Sequence, residues 1–168
     1  MSFAGPRASW EDVLLLAAEV GAALAERKET VAIAESSAGG LIAAALLAVP
    51  GASAYFRGGG VVYTLDAKSR LLGTTREEMS EPRAATEAHA LILARAARKQ
   101  LDATWGIGET GASGPTGNRY GDAPGHACIA IAGPRQISIT IETGSAEREA
   151  NMWTFATRAI EALRSLLQ

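Results

Sequence analysis

Ser36 and Ser37, followed by Gly39 and Gly40, lie in the stretch Thr30-Val-Ala-Ile-Ala-Glu-Ser-Ser-Ala-Gly-Gly-Leu-Ile-Ala-Ala-Ala-Leu-Leu. Hydroxyls beside glycines offer a nucleophile and a backbone that a ligand can approach closely. The apolar run 30–34 suits a buried strand, and the run 41–47 suits a helix, expected over about 37–48. In α/β proteins, ligands gather where the carboxyl end of a parallel strand meets a helix N-terminus. There the unpaired N–H groups and the positive dipole end favour anions and developing oxyanions. The alternative is that one serine simply caps the helix.

A serine nucleophile needs a base, and neither His89 nor His126 is obviously placed to serve. His89 reads as a surface or packing residue. Lys68 would serve if burial lowered the pKa of its amine. Tyr63, five residues earlier at an expected strand end, could relay a proton or orient the lysine. The alternative packs Tyr63 beneath the sheet and leaves Lys68 solvated on a helix. Further along, Gly111-Ala-Ser-Gly-Pro-Thr-Gly offers free N–H groups to a phosphate or carboxylate. Arg119 and Arg148 could add bidentate contacts, or could be ordinary surface residues. The glycine run has neither the ending of a P-loop nor the spacing of a dinucleotide fingerprint. One cysteine and two separated histidines give no recognisable metal ligand set, so neither metal nor cofactor is expected.

The elements that must position these residues follow from periodicity. Ser9-Trp-Glu-Asp is a capping signal, and Val13, Leu16, Ala17, Val20 and Leu24 fall on one face of a helix over 10–27. Val49-Pro-Gly ends the helix after the serines, and strand character returns over 59–64. A short helix over 66–73 and a turn at 75–79 come next. Ser80-Glu-Pro is then expected to open a helix over 82–100, with Pro82 in its first turn and Ala84, Ala88, Leu91 and Ile92 on its apolar face. A central strand over 103–109 runs into a long structureless stretch, 110–125. Segments 127–131 and 136–141 alternate as an antiparallel hairpin, and a helix over 146–167 ends the chain. The order predicts a single-domain three-layer α/β/α sandwich with a mixed, mainly parallel sheet, spanning 9–168 behind a loose tail at 1–8.

Composition narrows the function classes. The 16 basic and 18 acidic residues in 168 imply no general attraction to nucleic acid or to an anionic membrane. No apolar run approaches a membrane span, because Glu19, Glu26 and Arg27 interrupt the first helix. Cys128, the single cysteine, suits a reducing compartment, and the N-terminal residues lack signal-peptide blocks. A soluble, cytoplasmic domain is expected.

Three motifs together resemble the CinA C-terminal domain family, the nicotinamide-nucleotide amidohydrolases. They are Ala34-Glu-Ser-Ser-Ala-Gly-Gly, Gly60-Val-Val-Tyr-Thr-Leu-Asp-Ala-Lys with Leu-Leu-Gly after it, and Thr110-Gly-Ala-Ser-Gly-Pro. Ser80-Glu-Pro and Pro124-Gly support them, and the match spans about 10–165. The resemblance implies hydrolysis of the carboxamide of nicotinamide mononucleotide to nicotinic acid mononucleotide and ammonia. It puts the family's Ser, Tyr and Lys on Ser36, Tyr63 and Lys68, with Ser36 as nucleophile and Lys68, coupled to Tyr63, as base. Ser37, Gly39, Gly40, Thr110, Gly111, Gly114 and Arg148 would bind the substrate, with the 37–40 amides facing the oxyanion. A small nucleotide is the implied partner, and the Ala-rich helix faces are compatible with a homo-oligomer. The chain departs from the family pattern at Ser37-Ala38 (usually Cys-Thr), at Leu65 (commonly Asn), at Met152 (frequently Arg) and at Asn118-Arg-Tyr-Gly-Asp. These departures leave two alternatives beside the amidohydrolase: a nucleotide-binding module without catalysis, and a hydrolase of another small amide.

Overall fold

A computed structural model of the chain describes residues 9–168; the tail expected at 1–8 lies outside the described residues. Helix α1 (Trp10–Arg27) starts with the expected capping box: Ser9 Oγ accepts the Asp12 N–H, and the Asp12 carboxylate accepts the Ser9 N–H. Its apolar face is buried as the periodicity requires. Strand β1 (Val31–Glu35) is buried throughout, since both faces of the sheet are covered. Val31 and Ile33 face one helical layer, Ala32 and Ala34 the other.

Four further strands complete the sheet: β2 (Phe56–Val61), β3 (Trp105–Ala112), β4 (His126–Ala132) and β5 (Ile137–Glu142), in the order β2-β1-β3-β4-β5. β1 pairs in parallel with β2 and β3, while β4 pairs antiparallel with β3 and β5. Thus β4 alone runs against the other strands. Helices α1, α2 (Leu41–Leu47) and α6 (Arg148–Leu167) cover one face. Helices α3 (Leu65–Leu72), α4 (Arg76–Ser80) and α5 (Glu87–Gln100) cover the other. This is the three-layer α/β/α sandwich that the element order predicts.

The boundaries around the site differ from expectation. α2 begins at Leu41 and not at 37; its N-cap is Gly40, with φ 100° and no side-chain cap, so neither serine caps it. The turn expected at 75–79 is the short helix α4, capped by Thr75 and Glu78. α5 begins at Glu87 behind its N-cap Thr86, so Pro82 lies in the preceding connection and not in a first turn. The fully buried side of α5 is His89, Ala90, Leu93, Ala94 and Ala97; of the expected face, Leu91 and Ile92 pack half-buried at its margins and Ala88 is exposed. The reason is in β3. A Cβ at Gly106 or Gly108 would come within 2.0 Å of the carbonyl oxygen of Ala94 or Ala90. Bare glycines on β3 therefore let the small-residue face of α5 lie directly on the strand.

Candidate functional site

β1, β2 and β3 run in the same direction, so the connections that leave their carboxyl ends meet at one edge of the sheet. There a cleft of ≈ 210 Å³ is lined by Ser37, Tyr63, Gly111, Ser113, Gly114, Thr116, Gly117, Asn118 and Arg148, among others. A larger cavity of ≈ 290 Å³ beside β2 is lined by Ile33, Val62, Leu72 and Leu101 with the 58–60 glycines, and no ionisable side chain of the described residues lines it.

Two buried carboxylates organise the serine turn. Glu109, on β3, accepts the N–H groups of Ser36 (2.8 Å) and Ala38 (2.9 Å) and the hydroxyl of Ser37. Glu35, the last residue of β1, accepts the N–H groups of Gly40 (2.7 Å), Ile42 (3.2 Å) and Ala43 (2.9 Å). Burial raises the pKa of both. Glu35 reaches about 7; its bond from Ala43 works against the rise, and the neighbouring Glu109 charge adds to it. A buried carboxylate is tolerable only with such donors around it. The consequence corrects the expected anion site at the start of α2. The amides of Ser36, Ala38 and Gly40 go to carboxylates, and that of Gly39 goes to the Ser36 carbonyl. Of the 36–40 amides, only that of Ser37 lacks an acceptor among the described residues. Ser36 is 7% exposed, and its hydroxyl is not sealed without a partner; among the described residues the fully buried, unpartnered side-chain oxygen is that of Thr74.

Lys68 sits on α3, whose N-cap Thr64 accepts the Ala67 N–H at 3.1 Å. It is 5% exposed, so the solvated alternative is excluded. Desolvation lowers the pKa of its amine, and the Glu109 charge partly opposes this. Its hydrogen-bond partner is not Tyr63 but His89: Lys68 Nζ lies 2.9 Å from His89 Nε2. Tyr63 is 60% exposed on the cleft wall, neither beneath the sheet nor bonded to Lys68. His89 is fully buried, with Nδ1 2.9 Å from the Pro82 carbonyl. Burial first, then the Lys68 charge, drive its pKa down to about 4.

The remaining residues fall into two groups. Gly111 and Gly114 line the cleft, and Arg148, the first residue of α6, donates to the Gly114 carbonyl at 2.6 Å. The amides of Ser113, Gly114, Thr116 and Gly117 have no acceptor among the described residues, so this loop keeps the free N–H groups that the turn does not. Thr110 is buried, and its hydroxyl accepts the Ala85 N–H at 3.1 Å. Gly39 packs under Met152; a Cβ there would lie 2.6 Å from its methyl carbon. Arg119 donates to the Tyr120 hydroxyl at 2.9 Å and does not line the cleft. The stretch expected to be structureless is pinned. β3 runs on to Ala112, and beyond it Asp122 accepts two bonds from Arg83 (2.8 and 3.2 Å) and one from Asn118 (2.8 Å).

Glu35 and Glu109 are not among the candidates drawn from the sequence, and His89, which reads there as a surface or packing residue, is wholly buried. The signal for the first two was available: a carboxylate at the end of an otherwise apolar buried strand must find donors. His89 lies on the buried face of α5, which the expected face of Ala84, Ala88, Leu91 and Ile92 does not include.

A family model described as the CinA C-terminal domain matches residues 14–167. A CinA-like protein of Desulforapulum autotrophicum is 40% identical over 153 residues, which is 90% of this chain and 36% of that protein. A CinA-like protein of Gloeobacter violaceus is 42% identical over 131 residues, 77% of this chain and 31% of that protein. This chain therefore spans about a third of the length of these relatives. Among solved structures, the competence/damage inducible protein CihA of Agrobacterium tumefaciens superposes with a TM-score of 0.86 at 30% identity, covering 94% of this chain and 96% of that one. A CinA superfamily protein from Enterobacter cloacae gives 0.85 at 25% identity, covering 93% of this chain and 92% of that one. With the family model matching residues 14–167 and a relative 40% identical across 90% of its length, the chain belongs to the CinA C-terminal domain family.

Proposed function

We propose that this domain hydrolyses the carboxamide of nicotinamide mononucleotide to nicotinic acid mononucleotide and ammonia, with Ser36 as nucleophile and Lys68 as base. The observation that carries the reading is the burial of Lys68 against a neutral histidine, next to the carboxylate that holds the serine turn. An amine with a lowered pKa can take up the serine proton near neutrality, which an exposed lysine cannot. Ser36 attacks the amide carbon, and Lys68 accepts its proton and returns one to the departing ammonia. Water then cleaves the acyl-enzyme to the acid. The amide after a nucleophile is the usual oxyanion donor, and the Ser37 N–H is the one left free in this turn. Such a donor contributes ~3 kcal/mol to the transition state. The free amides of the 113–117 loop and Arg148 would hold the phosphate, whose binding energy positions the amide.

One observation favours a second reading. The Ser37 hydroxyl and most turn amides are bound to internal carboxylates, and Met152 covers Gly39, as suits a nucleotide-binding module without catalysis. Incubation with nicotinamide mononucleotide, reading ammonia and nicotinic acid mononucleotide, separates the two. We expect turnover by the wild type and its loss in both Ser36→Ala and Lys68→Ala. Turnover that survives Ser36→Ala sinks the acyl-enzyme. Binding without turnover in the wild type selects the module.

A further inference from the structure

The Pro82 carbonyl can only accept a hydrogen bond, so His89 Nδ1, 2.9 Å away, carries the ring proton. A neutral imidazole has a single N–H, and Nε2 therefore presents a lone pair. Lys68 Nζ, at 2.9 Å, must be the donor to it. An imidazolium is excluded on three counts. The ring is wholly buried, it faces an amine, and it stands in the first turn of α5, where the helix dipole is positive. That turn is fixed in place by Thr86, whose hydroxyl accepts the His89 N–H at 3.2 Å.

We infer that His89 is a positioning residue for Lys68: the Pro82 carbonyl fixes its tautomer, and its Nε2 holds one amine N–H so that the lysine lone pair has a set direction. This rests on the reading of Lys68 as the base. A lysine side chain has several rotatable bonds, and an unheld amine would spread its lone pair over many directions. Held by one N–H, it still has its lone pair for the serine proton. The ammonium that results keeps its bond to Nε2 and faces Glu109 from β3, while His89 faces it from α5. His89 takes up no proton itself. The opposite tautomer would aim an N–H at Lys68 and break the contact.

Two measurements test this. Two-bond proton–nitrogen spectra of the wild type should show His89 neutral and protonated on Nδ1 from about pH 5 to 8, the range across which an ordinary histidine titrates. An Nε2-protonated ring, or an imidazolium in that range, overturns the assignment whether or not the protein turns over any substrate. Kinetics give the second test. His89→Leu, which removes the acceptor, should lower kcat about 100-fold with KM unchanged, the scale of a misplaced catalytic group. His89→Gln offers an oxygen to Lys68 and an NH2 to Pro82, and should recover most of that loss. A leucine variant with wild-type kcat, or a glutamine variant no better than leucine at equal thermal stability, overturns it. A wild type that leaves nicotinamide mononucleotide intact removes the amidohydrolase reading alone. The spectra, together with the Lys68 amine titration in wild type and His89→Gln, then decide the contact.

Discussion

Arg148 is the only charged residue among the described residues lining the cleft, and it is held there by the Gly114 carbonyl. A guanidinium with one donor engaged still has others for a phosphate oxygen. Arg148→Gln should therefore raise KM for nicotinamide mononucleotide about tenfold, matching the ~1.5 kcal/mol of a hydrogen bond to a charged group, with kcat little changed. Initial-rate kinetics on the variant check this, and a fall in kcat with KM unchanged would place Arg148 in the chemistry instead. Ser37 and Ser36 divide the labour of the turn differently from their sequence appearance. Adjacent hydroxyls look equivalent in the chain, but β3 offers Glu109 to one of them only. Which serine is held and which is free depends on a residue 72 positions away.

At the scale of elements, the contact between α5 and β3 sets the site, because it brings His89 under Lys68 and Thr110 under Ala85. The contact depends on the absence of side chains. Gly108→Ala would set a Cβ 2.0 Å from the Ala90 carbonyl oxygen, a backbone atom that cannot swing aside. We expect a loss of about 3 kcal/mol in urea unfolding, at the upper end for overpacking. Gly60→Ala is the control: nothing lies closer than 3.7 Å to its Cβ, so its unfolding midpoint should stay near that of the wild type. A tolerated Gly108→Ala would mean that α5 can slide on the sheet. The start of α5 was legible only in part. Pro82 is a sound opening signal in isolation, but Thr86 three residues before His89 supplies the cap that the helix uses.

For the whole molecule, the buried carboxylates link stability to pH. The Glu35 carboxyl is raised from 4.5 to about 7, so the folded protein holds a proton between those values that the unfolded chain releases. Stability from this group is thus full below about pH 4.5 and is lost as pH rises through 7, by about 3 kcal/mol at ~1.4 kcal/mol per unit. His89 acts in the opposite sense. Its pKa is lowered from 6.5 to about 4, and its contribution is lost as pH falls through that range. Glu35→Gln removes the first effect alone. Relative to wild type it should gain about 3 kcal/mol between pH 4.5 and 7 in urea unfolding at a series of pH values. A difference that stays constant with pH would mean that Glu35 is ionised throughout.

Local chemistry was legible because it repeats along the chain. The capping box at Ser9, the apolar face of α1, the buried β1 run and the alternation of β5 each follow from neighbours a few residues apart. Element order then predicted the layers, since alternating strands and helices have few ways to bury both faces of a sheet. The serine turn and the glycine loop were legible as motifs for the same reason. Contacts between distant segments were decided only by the tertiary structure. Glu109 reaches Ser37 across 72 positions, His89 reaches Lys68 across 21, and Asp122 reaches Arg83 across 39. Burial then sets the charge of each group, because a carboxylate, amine or imidazole withdrawn from water keeps only the partners that packing brings to it. The sequence names the reactive groups, but their protonation and their partners depend on what the folded chain places against them.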